Sequence, residues 1–402
     1  MSAEQLIFRV LEVETRAARI EGIFAADPSL ARMWRGQVAL TEACRSVGLE
    51  DIHVFEGDVI HRHLENRLTD AEGARGAVSV AELLRVIVSP GDLIRDTERV
   101  VERCRRAAVS IDDDDALVDL AKAVRILPAE LQKAPTPMLG ALRAATLFRV
   151  ETQSSMPSAD RLIFMAAEHT LRAGGAGAPL ESLRPEALLS RINANWIITP
   201  SIALTQGRFR AWSPGTGQGF NDLLDGISGD LDRTLGAMPI LRRWREDARA
   251  TASGKHGKSR LRDLVELAMY EPILTSKHVR EMLGVSERAS LYLMQEAEGA
   301  GILSLITPRK SYRVWAQPQM AQLLRMRAQR SGATPSFTPQ DNKVQAEAGD
   351  MATEVKLQRQ LDRRQSGDAF ADRTADALSE LDAAMEKADA ILAKYRRGDP
   401  TK

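Results

Sequence analysis

Net charge, cysteine, aromatic residues and long apolar runs are all scarce in this chain, and each shortage removes a class of protein. The 55 Lys and Arg residues balance 55 Asp and Glu residues, so no global field announces a polyanionic partner. Two cysteines, Cys44 and Cys104, are too few for a disulfide framework and too far apart for a paired-thiol metal site. They are expected to be reduced and partly buried. Aromatics make up only 4% of the 402 residues, which disfavours a β-sandwich or barrel. No stretch reaches the roughly 18 apolar residues of a membrane span. The opening MSAEQLIFRVLEVE carries Arg9, Glu12 and Glu14 where a secretion signal needs an unbroken apolar core, so the expected location is cytoplasmic, with no membrane partner.

What is present is helical pattern. The fold class expected is mainly α: a multi-helical N-terminal domain over 1–250, a winged helix-turn-helix over 254–317, and a C-terminal helical tail. Leu6, Ile7, Val10, Leu11, Val13, Ala17 and Ile20 recur at mostly helical spacing over 4–20. Asp27-Pro28 supplies an N-cap and a first-turn proline for a second helix running toward Gly48. Further helices are expected around 58–68, 80–88, 90–107, 116–127, 137–151, 159–173 and 187–194, with breaks at Pro, Gly and Ser.

After the basic stretch Arg242 to Arg249 and the Ala-Ser-Gly-Lys-His-Gly segment, the charge changes character. Residues 254–330 hold 13 Lys and Arg against 7 Asp and Glu, an excess of +6 that the rest of the chain cancels. From Ser331 to Asp350 the polar composition cannot bury enough surface to offset chain entropy, which predicts a disordered linker. In 351–402, Leu378, Leu381, Met385, Ala388, Leu392 and Tyr395 follow at alternating intervals of three and four. That is a heptad seam, suited to a coiled coil or to a helix docked on its own chain.

Leu274 to Leu303 carries the most information. Thr275 or Ser276 can cap a short helix to Leu283; Gly284 permits a tight turn, and Ser286 caps a second helix to about Ala300. Ile302–Ile306 and Tyr312–Trp315 then read as two strands around the basic turn Thr307–Ser311, a wing. In such a motif the second helix enters the major groove, which makes Ser286, Glu287, Arg288, Leu291, Tyr292 and Gln295 the candidates for base contact. The planar fork of Arg288 matches O6 and N7 of guanine, and Glu287 can accept from a cytosine amino group or favour the helix N-terminus. Lys277, Arg309, Lys310 and Arg313 are the candidate phosphate contacts. The partner implied is double-stranded DNA read by a homodimer; a protein-interaction module is the alternative use of such a helical triad.

Gly284-Val285-Ser286 and Ala300-Gly301-Ile302-Leu303 resemble the winged helix-turn-helix domain that ends many bacterial Fic-family proteins. Arg280 stands where such motifs carry a small residue, which implies a wider helix crossing here. Leu40 to Leu68 is similar to the N-terminal Fic segment with Ser or Thr, three residues, then Glu and Gly or Asn: Ser46 and Glu50 match and Asp51 does not. The whole chain also resembles a group of alpha-proteobacterial proteins that join a helical region to this helix-turn-helix.

The adenylyl-transfer chemistry of that family needs a His base followed by Pro-Phe and a Gly-Asn-Gly-Arg anion nest. Here His169 is followed by Thr170-Leu171-Arg172, and Gly215-Thr216-Gly217-Gln218-Gly219 lacks the Asn and Arg. The arginine partner that would give Ser46 and Glu50 their inhibitory role belongs to that missing motif. Glu56, Asp58, His61 and His63 form the densest His and carboxylate cluster, but His61 and His63 share no face of a helix. Asp112 to Asp115 reads as the acidic N-terminus of the helix from Ala116. No Walker, dinucleotide or zinc pattern occurs. No catalytic residue, metal or cofactor is therefore expected. The function expected is a DNA-binding regulator of transcription or of a mobile element; the alternative is a diverged Fic-like nucleotidyl transferase with relocated catalytic residues. Trp34, Trp196, Trp212 and Trp244 read as core or interface residues.

Overall fold

The computed structural model describes residues 3–65, 71–112, 119–153, 156–174, 192–206, 217–255, 259–307, 313–322 and 324, and it is mainly helical. The expected linker 331–350 and tail 351–402 lie outside the described residues, as do Trp212 and the wing turn 308–312.

Helix α1 (Ala3–Ala26) is followed at once by α2 (Pro28–Gly48). Between them Asp27 Oδ1 accepts from Leu30 N at 3.0 Å and Pro28 fills the first turn, so the cap read in the sequence forms as such. Helix α2 is the hub: Leu30, Met33, Trp34, Leu40, Ala43 and Val47 are all buried. Then come α3 (Glu56–Glu65), α4 (Ala71–Val88), α5 (Thr97–Asp112), α6 (Ala121–Gln132), α7 (Pro137–Thr152) and α8 (Pro157–Arg172). Every residue of α8 from Ser158 to Thr170 is buried, which makes it the central helix against α7. Cys44 and Cys104 are both buried, and burial pushes the Cys104 thiol up to about 12.

Several expected boundaries move. Residues 90–96 are not helical, because Pro90 and Gly91 (φ 85°) turn the chain and Asp92 Oδ1 accepts from Ile94 N and Arg95 N. Asp112 ends α5 instead of opening a helix, and Asp119 accepts from Ala121 N at the start of α6. Residues 192–194, expected to end a helix, belong to an extended segment running to Thr199. Asn193 N donates to Val88 O (2.8 Å), Trp196 Nε1 to Ile87 O (2.7 Å) and Ile198 N to both oxygens of Glu168. This segment ends at α9 (Pro200–Gln206), whose first N–H groups, Ser201 N and Ile202 N, are taken by Glu42 at 2.8 and 2.9 Å.

The long helix α10 (Gly217–Ser253) connects the first helices to the last. Its first turn contains Gly217 and Gly219, expected in a loop, and Pro239 lies inside it. Gly226 lets it pass close to α9, since a Cβ there would stand 2.8 Å from Ala203 O. Arg245 holds Asp27 through two 2.7 Å bonds, Arg249 holds Glu266 at 2.9 and 3.0 Å, and Trp244 Nε1 donates to Ile302 O at 3.0 Å.

Beyond it, α11 (Leu261–Tyr270), β1 (Ile273–Thr275), α12 (Ser276–Leu283), α13 (Glu287–Gly299), β2 (Ser304–Leu305) and β3 (Val314–Ala316) form a compact unit. Its antiparallel sheet has the order β1-β3-β2, with Leu274 and Leu305 both opposite Trp315. Strand β1 is absent from the sequence reading. The unit shares one apolar core with the rest of the chain: Pro272 packs at Gly36 of α2, and the Gln37 and Gln317 side chains hydrogen-bond.

Candidate nucleic-acid interface

Local sequence builds the exposed surface of this last unit. Thr275 accepts from His278 N (3.2 Å) and opens α12; Gly284 closes it in the left-handed region (φ 62°, ψ 36°) while Val285 N returns to Arg280 O. Ser286 Oγ accepts from Ala289 N (3.2 Å), starting α13 two residues after the turn. Arg260 donates to Leu283 O at 3.0 Å and so satisfies the end of α12.

Two stripes divide α13. Ser290, Leu293, Met294 and Ala297 are buried, the last three in the same apolar core as Val279, Leu264, Ala268 and Trp315. Arg288, Leu291, Tyr292 and Gln295, at the same i, i+3, i+4, i+7 spacing, are exposed. Tyr292 is 70% exposed, an unusual place for an aromatic ring in a packed unit. Ser286 and Glu287 are exposed at the N-terminus of the same helix. Glu298 is turned inward and accepts from Trp315 Nε1 at 2.8 Å, while Glu296 pairs with Lys255 at 3.0 Å, so the acids of α13 beyond its first turn are tied to the body.

The other candidates lie on different elements. Lys277 is exposed on α12 and Arg313 is half-buried at the entry to β3. Arg309 and Lys310 lie outside the described residues. Arg280 is not wedged between the helices: its side chain is 39% exposed and stands 3.8 Å from Glu281 and 3.8 Å from Glu287. Glu287 thus has a basic neighbour as well as the helix N-terminus, and at 87% exposure that pair contributes little. His278 pairs with Glu271, and this hydrogen bond raises its pKa above the ordinary histidine range. Sequence reasoning missed Met282, 55% exposed on α12, and Arg260; the signal for Arg260 was a basic residue at a helix start, where it is unfavourable unless bonded elsewhere.

The residues of the fainter resemblance also come together, away from this face. Arg161 of α8 donates through Nε and Nη2 to Ser46 Oγ (3.2 and 3.1 Å), through Nη2 to Ser46 O (3.0 Å) and to Glu50 Oε1 (2.8 Å). Glu50 therefore has a buried arginine partner, but from a different stretch than the motif would supply. His169 is 1% exposed; its Nδ1 accepts from Asn195 N at 2.8 Å, and burial pushes its pKa down to about 4. Glu56 and Asp58 lie in the first turn of α3, and the side chains of His61 and His63 lie outside the described residues. Among the described residues no three His, Cys, Asp or Glu side chains gather as metal ligands, and no helix is long and apolar enough to cross a membrane. No family model and no curated protein matches the chain.

Proposed function

We propose that the chain is a DNA-binding regulator and that α13 enters the major groove as the recognition helix of a winged helix-turn-helix. One observation carries the reading: α13 is split into a core stripe and an outward stripe of Arg288, Leu291, Tyr292 and Gln295, with a capped, exposed N-terminus at Ser286 and Glu287. Side chains of this kind suit base edges: a guanidinium for guanine, an amide for adenine, and apolar and aromatic surface for a thymine methyl. Lys277, Arg313, Arg309 and Lys310 are the proposed phosphate contacts. The local excess of +6 over 254–330 in a neutral chain supports the same reading. The helical region, packed against the unit through α2 and α10, holds it in place and assembles two copies.

The test is binding of the full chain to duplex DNA, with a site selected from a random pool, over a salt series. Four phosphate contacts per subunit correspond to a log–log slope of about −3.6 for each subunit and about −7 for the bound dimer. No binding at low salt, or affinity independent of salt, overturns the reading.

A further inference from the structure

A cavity of about 350 Å³ lies on the other side of the docking line between α2 and the last unit. Its lining is mixed: Phe24, Pro28, Ile192 and Ile197 give apolar surface, while Arg32, Arg35 and Arg172 stand with one carboxylate, Glu21. This size lies within the range of small-molecule sites, and the cavity is open to solvent on one side.

The arginines are not neutralised alike. Arg172 is held by Glu168 (2.8 Å) and Glu21 (2.7 Å), yet its Nη2 is sealed from solvent without a hydrogen-bond partner, its nearest carboxylate oxygen being Glu14 Oε2 at 4.0 Å. Arg35 is 8% exposed, and its hydrogen bond among the described residues is from Nε to Trp196 O (3.0 Å), a neutral acceptor. Its guanidinium carbon lies 5.0 Å from the Phe24 ring centre and 5.9 Å from that of Trp196, and the carboxylates that act on it, Glu168 and Glu21, are the ones Arg172 holds. Arg32 sits one turn earlier on the same face of α2, over the Tyr270 ring at 4.6 Å. Two like charges at i, i+3 repel, and a buried cation that shares its counter-charges with a second arginine is only partly neutralised. An anion in the cavity removes both costs at once.

We infer that this cavity binds a small organic acid, with its carboxylate on the Nη edge of Arg35 beside Arg172 and its apolar body against Phe24, Ile192 and Ile197. A planar carboxylate matches the fork of a guanidinium bidentately, and Phe24, Ile192 and Ile197 offer an apolar body a place to rest. The site also adjoins the DNA-binding unit. Arg32 touches Tyr270 at the end of α11, and Gly36, one turn further along α2, packs on both Pro272 and Ile192. Drawing Arg32 toward a bound carboxylate removes it from Tyr270, so occupancy is expected to change the seating of the last unit; this coupling rests on the DNA-binding reading, whereas the binding site does not.

Isothermal titration of the full chain with benzoate and octanoate, an aryl and a linear acid, tests the site against benzamide as the neutral isostere and inorganic phosphate as the bare anion. The expected result is saturable binding of at least one acid, with benzamide and phosphate at least tenfold weaker than it. Arg35→Gln is expected to weaken that acid at least tenfold. Ala25→Trp, at an exposed lining position where misfolding is not a concern, is expected to do the same by filling the mouth. Binding of neither acid, binding of benzamide or phosphate equal to the acids, or acid affinity unchanged in Ala25→Trp overturns the site. A saturating acid that binds but leaves the affinity for DNA unchanged overturns the coupling alone.

Discussion

Arg161 and Glu50 form an ion pair at 2.8 Å with side chains only 2% and 5% exposed, joining the end of α2 to the middle of α8. Ser46, one turn before Glu50, adds its hydroxyl and carbonyl to the same guanidinium. Removing one member of such a pair strands a charge in the core, and the cost is about 3–5 kcal/mol. Glu50→Ala is expected to destabilise by that amount in chemical denaturation, and Glu50→Leu with Arg161→Met to recover part of it. A loss under about 1 kcal/mol in the single variant means the pair does not anchor these helices.

Two glycines of α10 are expected to respond in opposite directions to the same change. Alanine is about 1 kcal/mol better than glycine inside a helix. At Gly236, exposed and with nothing within 4 Å of a new Cβ, Gly236→Ala is therefore expected to stabilise by about 0.5–1 kcal/mol. At Gly226 the Cβ meets the Ala203 carbonyl at 2.8 Å, and forcing α9 away costs about 1–3 kcal/mol. Thermal melts of the two variants decide; the same sign for both contradicts the close approach of α9 and α10.

These glycines also explain what sequence reading reached and what it did not. Boundaries written in caps were legible, because Asp27-Pro28, Gly284 and Ser286 each do one local job. Helix α10 was not. Gly226, Gly229, Gly236 and Pro239 look like breaks in the sequence, and only the packing against α9, α1 and α2 makes that stretch helical. Strand β1, three residues long, exists through its pairing with β3, which no local pattern announces. The outward stripe of α13 was legible from its period, whereas the partner of Glu50 depended on α8 folding onto α2, a contact between residues 111 positions apart.

His169 carries an acid-side prediction. Its folded pKa, about 4, lies below the ordinary value of 6.5, first because of burial and then because Arg35 is near. A depressed histidine contributes stability that is present above the unfolded pKa and lost as pH falls through the folded one. Protonation also converts Nδ1 from the acceptor for Asn195 N into a donor facing a donor. Glu42 and Asp160, both raised to about 7 by burial, act in the opposite sense: their contribution falls as pH rises from about 4 to 7. A variant comparison isolates the histidine. Between pH 6.5 and 4 the wild-type chain is expected to lose on the order of 2–4 kcal/mol more than His169→Asn in urea unfolding, since the amide oxygen still accepts and does not titrate. Equal losses in the two chains contradict the assignment.

Arg288 and Lys277 separate sequence reading from phosphate binding. Arg288 lies on the outward stripe of α13 and Lys277 on exposed α12. Arg288→Ala is expected to cost about 1–3 kcal/mol on the selected site and to relax preference at one base pair. Lys277→Ala is expected to weaken all sequences alike and to reduce the salt slope by about 1 per subunit. Competition binding with the selected site and a scrambled duplex reads both. An Arg288→Ala loss equal on the two duplexes places that side chain on the backbone.

The last prediction concerns assembly. A single recognition helix reads a short site, and discrimination among very many competing sites calls for two half-sites held at fixed geometry. The heptad series from Leu378 to Tyr395 offers one means of pairing. Its Ala388 leaves little apolar area in the seam, and about three and a half heptads are marginal for a free pair of helices. The 331–350 segment matters as well: its polar composition offers no apolar contact to lock a paired tail onto the rest of the chain, so the tail alone does not set the spacing of two recognition helices. Fixed spacing therefore has to come from the helical region, whose α2 and α10 hold each recognition unit through Gln37, Trp244 and Arg249. Sedimentation of the full chain and of a chain ending at Arg330 is expected to show a dimer in both, with the shorter chain binding DNA more weakly through lost avidity. A monomer in both removes the dimer, and a dimer that vanishes on truncation assigns it to the tail.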